Sequence, residues 1–97
     1  MTTSPLSGQN FVQRIMSTHY VPAAARWFLG ENLAWGDQAA STPRSIVRAW
    51  MNSPAHRRNI LTPGFREIGI AIVAGAPVGG VSDAATFATE FGVIHRL

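Results

Sequence analysis

The chain contains neither cysteine nor lysine. Without cysteine there are no disulfides and no thiolate metal sites, a composition that fits any compartment. Without lysine, all the positive charge is arginine: eight Arg against five Asp and Glu, a formal net charge of +3. Charge of both signs is scarce, at 13% of residues against 46% apolar, the balance of a globular chain rather than a disordered one. No apolar run approaches the ~20 residues of a membrane span. The opening "MTTSPLSGQN" has no basic region followed by an apolar stretch, so no signal peptide is visible. A length of 97 residues gives one domain at most, long enough for a real core but with little stability to spare.

An arginine-only excess raises the question of nucleic acid. Arg14, Arg26, Arg44, Arg48, Arg57, Arg58, Arg66 and Arg96 are spread along the chain with one adjacent pair, whereas a nucleic-acid face clusters its bases. The spacing reads as a solvated surface, and no nucleic-acid partner is expected.

Phe11, Val12, Ile15, Met16 and His19 follow helical spacing, which predicts an amphipathic helix over about residues 8–19, started at Ser7 or Gly8 and stopped by Pro22. In "RWFLGENLAWG", read as extended, Trp27, Leu29, Leu33 and Trp35 share one parity with Glu31 in their midst. A carboxylate in an apolar row is costly unless something pairs with it. "STPRSIVRAWMN" reads as a helix capped by Ser41 or Thr42 with Pro43 in its first turn, and Ile46, Val47, Trp50 and Met51 form its apolar stripe. It ends before Pro54. Ser53 and Pro54 restart a helix to about Leu61, with His56 in its first turn. "EIGIAIVA" reads as a strand apolar on both faces, and "ATFATEFGV" as a second, with Phe87, Phe91 and Val93 inward and Glu90 on the other parity. Nine residues join them, as in an antiparallel hairpin packed against helices.

Glu31 and His56 are the one pair with chemical promise. The bland alternative has His56 packing at a helix start and Glu31 pairing with an arginine. No HExxH spacing, G-x-S-x-G elbow or phosphate loop occurs. Trp27, Trp35 and Trp50 read as core, although two aromatics beside Glu31 would also line a cleft.

The stretches Gly30-Glu31-Asn32-Leu33-Ala34-Trp35-Gly36 and Trp50-Met51-Asn52-Ser53-Pro54-Ala55-His56-Arg57-Arg58-Asn59-Ile60-Leu61, followed by "FREIGIAI" and "ATEFG", together resemble the CAP superfamily (cysteine-rich secretory proteins, antigen 5 and pathogenesis-related proteins) in its bacterial SCP-like form. The resemblance covers roughly residues 2–93. It implies an α+β fold, an α-β-α sandwich around a small antiparallel sheet, in a mostly secreted family. It also implies a central cleft of two histidines and two glutamates that in some members binds a divalent metal. Glu31 matches the glutamate of the Gly-Glu-Asn motif and His56 the histidine before Arg-x-Asn-Ile-Leu. Ser53 stands where many eukaryotic members carry the second glutamate, and Ala55 replaces the usual glycine. Thr2 falls where the other histidine would be, so the resemblance implies a single CAP domain over residues 1–97, incomplete at its N-terminus, with the family's first helix missing.

The expectation is therefore a non-catalytic, extracellular-type domain that binds a ligand or partner at a Glu31/His56 cleft flanked by Ser53. A lipid, a cell-wall component or a protein would each fit as that ligand. No cofactor is expected; Glu31 and His56 are two metal ligands where a self-sufficient zinc site needs three or four. Two alternatives stay open: a metal-assisted hydrolase using His56 and Glu31, and a degenerate structural fragment. The apolar strand at 67–74 further implies self-association if a sheet face is uncovered.

Overall fold

The structure, a computed structural model, describes residues 10–96; Thr2 and the "TTSPLSG" turn lie outside them. The elements run α1 (Phe11–Met16), β1 (Arg26–Asp37), a 3-10 helix (Gln38–Ser41), α2 (Pro43–Met51), α3 (Pro54–Leu61), β2 (Glu67–Ala74) and β3 (Ala84–His95). The three strands form one antiparallel sheet in the order β1-β3-β2. The α+β class is as the sequence implied, with helices on both faces of a small sheet.

The helix α1 is shorter than its apolar spacing predicted. Asn10 caps it in a reciprocal box with Gln13. It stops at Met16 because the hydroxyls of Ser17 and Thr18 bond back to the carbonyls of Arg14 and Ile15, local bonds that compete with a continuing helix. His19 then takes a left-handed conformation (φ 62), so it belongs to a turn and not to the helical stripe. The second helix matches its prediction: Thr42 accepts from Ser45 N at 3.2 Å and Pro43 opens the first turn. Pro54 opens α3 in the same way.

Parity along the strands assigns each helix to a face. The Ile46 and Trp50 side chains of α2 pack on Phe87 of β3, with Ala34, Ile60 and Ala85 around them. The even positions of β1 and the odd positions of β3 therefore face α2 and α3, and Trp50 Nε1 donates to Leu33 O. The odd positions of β1 face α1. Here the structure corrects three readings of the sequence. Trp50 is core, but Trp27 and Trp35 remain 37% and 41% exposed, because six residues of α1 cannot cover a twelve-residue strand. Strand β2, expected to be buried on both faces, is exposed at every position. It lies at the sheet edge, beyond the reach of the α2–α3 layer, and leaves Ile68, Ile70 and Ile72 57%, 66% and 56% exposed. Val47, placed on the core stripe of α2, is 47% exposed; the other three members of that stripe are buried or half-buried.

An apolar edge strand with an open hydrogen-bonding row is a template for association. Sizing over a concentration series is expected to show reversible self-association of the chain. Replacing Ile68 and Ile70 by Thr should reduce it while leaving the melting temperature within a few degrees, because neither side chain is buried. An unchanged size distribution in this variant would rule the strand out as the contact.

Candidate functional site

The Gly-Glu-Asn stretch of β1 sends its three residues to three different tasks. Gly30 lies under α3: a Cβ there would come within 3.1 Å of both Asn59 Oδ1 and the Phe65 ring, so a larger residue would have to push those two side chains aside. Asn32, on the same face, is fully buried at 0% exposure. Its Nδ2 donates to the His56 carbonyl at 3.0 Å, and its Oδ1 accepts from Asn59 Nδ2 at 2.9 Å. Asn59 also donates to the Glu31 carbonyl at 3.0 Å. These bonds pin the first turn and the middle of α3 to β1.

Glu31 points the other way. Its side chain, 4% exposed, pairs with the Arg14 guanidinium of α1, and the same Arg14 nitrogen bonds Glu90. Glu31 and Glu90 are directly opposed across the β1–β3 ladder, so their side chains share a face by register. Two carboxylates thus meet one guanidinium. Burial, then the hydrogen bond and charge of Glu31, push the Glu90 carboxyl up to about 8, with Arg14 pulling the other way. Glu90 Oε2 is buried without a hydrogen-bond partner among the described residues. The bland alternative for Glu31, an arginine partner, is what the structure contains.

Beside Glu90, a cavity of about 260 Å³ opens between α1, the turn after it and the β3–β2 edge, walled by Ile15, Tyr20, Leu29, Glu67 and Phe91 among others. At its rim the Tyr20 hydroxyl donates to Glu67. Burial and that carboxylate push the Tyr20 phenol up to about 12.

His56 makes a separate set of contacts. Its Nδ1 bonds Ser53 Oγ at 2.8 Å. Ser53 therefore holds the ring and makes no side-chain cap to the backbone of α3. Contact between β1 and the His56 backbone comes from Asn32, whereas Glu31 is turned toward α1, so no hydrogen bond joins the two predicted site residues. The structure brings Ser53 to His56 and leaves Glu31 with Arg14 and Glu90. Among the described residues no three His, Asp or Glu side chains converge, and Glu31 is already paired with a cation, whereas a self-sufficient zinc site takes three or four ligands. Sequence reasoning missed Arg14, Asn32 and Asn59. The i+3 link of Ser53 to His56 and the need of Glu31 for a counter-charge were the signals available.

Two expectations follow from this geometry. Asn32→Ala strands the His56 carbonyl and loosens Asn59 at a fully buried position, and should cost about 2–3 kcal/mol in denaturant unfolding. Glu90 holds a proton in the folded state that the unfolded chain, with an ordinary value of 4.5, has released. Stability should therefore fall as pH rises from about 4.5 to 8 and level off above. In Glu90→Gln that slope should vanish. A slope retained in the variant would place the proton elsewhere.

Comparison with known proteins places this geometry in a family. "Uncharacterized protein YkwD" of Bacillus subtilis (strain 168) is 52% identical over 44 residues, which is 45% of this chain and 16% of that protein; the match spans a minor part of its length. No solved structure matches the chain. The family model of the cysteine-rich secretory protein (CAP) family matches residues 1–89, nearly the whole chain, and the chain belongs to the CAP family.

Proposed function

We propose that this CAP domain is a non-catalytic binding module that works outside the cell or in its envelope. It receives its ligand or partner on the Glu31 side of the sheet, at the cavity beside Glu90. The observation that carries the reading is that Glu31 and His56 take different partners. Glu31 is held by Arg14, and His56 Nδ1 by Ser53, so neither orients the other as base or nucleophile partner. The cavity is bounded by apolar walls with a few polar groups at its edge, the make-up of a site that holds without reacting. Location outside the cell rests on the family; among the described residues no helix is long and apolar enough to cross a membrane. His56 and Ser53 serve in this reading as a rigid polar station at the start of α3.

The test is turnover. Hydrolysis of p-nitrophenyl acetate by the purified chain should equal that by His56→Ala and should not respond to EDTA. Calorimetry with zinc chloride near neutral pH should show no tight one-to-one complex. Turnover or zinc binding lost in His56→Ala would overturn the reading in favour of a metal-assisted hydrolase.

A further inference from the structure

Between Asp37 and Glu67 the sequence contains no Asp or Glu at all, yet it holds Arg44, Arg48, Arg57, Arg58 and Arg66. The fold turns that asymmetry into a surface. On α2, Ile46 and Trp50 face the core, so Arg44 and Arg48 lie on the opposite side, with the exposed Val47 on its flank three residues from Arg44. On α3, Asn59 and the His56 backbone face β1 and Ile60 packs on the core. Its outer side carries Pro54, Arg57, Arg58 and Leu61. All four arginines are exposed. Among the described residues the ion pairs both belong to Arg14, so none of these four is neutralised by a carboxylate. Where α2 meets α3, a shallow hollow of about 500 Å³ is lined by Met51, Asn52, Pro54, Arg57, Arg58 and Leu61.

We propose that the outer face of α2 and α3 docks on an anionic lipid bilayer, with Arg44, Arg48, Arg57 and Arg58 against the headgroups and Val47 and Leu61 entering the interface between them. Charge alone would serve any polyanion. The apolar members decide between partners: Val47 and Leu61 are 47% and 54% exposed on the same stripes as the arginines. A soluble polyanion gains nothing from them, whereas the headgroup–acyl boundary takes both kinds of side chain. Such docking is independent of the cavity beside Glu90, which lies on the other face of the sheet and stays open to solution.

Sedimentation with vesicles tests this in the full chain. Binding is expected to phosphatidylcholine vesicles containing 30% phosphatidylglycerol, weakly or not at all to phosphatidylcholine alone, and to fall steeply between about 0.1 and 0.5 M salt. The triple variant Arg48→Gln, Arg57→Gln, Arg58→Gln should bind on the order of a hundredfold more weakly. The corresponding triple Lys variant should keep most of the binding, since the bilayer reads charge, and Leu61→Ser should lower it without changing its salt dependence. Circular dichroism confirms that each variant is folded. Equal binding to uncharged vesicles, no binding to either, or salt-sensitive binding to DNA or polyphosphate without vesicle association would each overturn the proposal.

Discussion

The placement of α3 on the sheet depends on one buried amide. Asn32 has no contact with water, and its donor and acceptor are both used on α3. A strand and an eight-residue helix with little apolar surface between them would otherwise have a weak grip, for α3 contributes Ile60 to the core and no fully buried side chain. In a dry site a fully satisfied amide is directional where apolar packing is not. It fixes both the distance and the rotation of α3, and with them the Ser53–His56 pair and the outward aim of Arg57 and Arg58. Gly30 completes the arrangement by its missing side chain.

The opposite face is organised by charge rather than by amides. Arg14 ties the short α1 to β1 and β3 together, bonding across the ladder at the one position where two glutamates are directly opposed. Like charges opposite each other in a sheet repel, and a single guanidinium balances only one of them. The surplus is relieved by a proton, held on Glu90 well above the usual carboxylate range. Burial and hydrogen bonding thus accommodate a polar pair on a face that the apolar row of Trp27, Leu29, Leu33 and Trp35 would suggest is oily.

The local signals in the sequence carried well where a residue's task is local. Thr42 and Pro43 opening α2, Pro54 opening α3, and the nine residues between β2 and β3 all appear in the structure as read. Patterns whose meaning depends on neighbours carried less. The Ile68–Ile70–Ile72 alternation signals a strand but cannot say which strands and helices lie beside it, and β2 turned out to be an exposed edge. The spacing of the arginines along the chain gave no sign of a face; Arg44, Arg48, Arg57 and Arg58 are all exposed on two consecutive helices. The site was legible in its residue types, since Glu31 needed a partner and His56 sat at a helix start. Which partner each would take depended on strand parity between Glu31 and Asn32, one position apart and facing opposite layers.

The sheet order has a consequence for how the molecule is assembled. Helices α2 and α3 adjoin in sequence, and so do β2 and β3, so both pairs form from neighbours. β1 pairs only with β3, and even the nearest partners, Asp37 and Ala84, are separated by both helices and the whole of β2. Closing that loop carries the largest entropic cost in the fold, and non-local pairing of this kind is slow. Pairing of the strand that bears Glu31 and Asn32 is therefore expected late in folding, and the two faces of the domain wait on that one pairing.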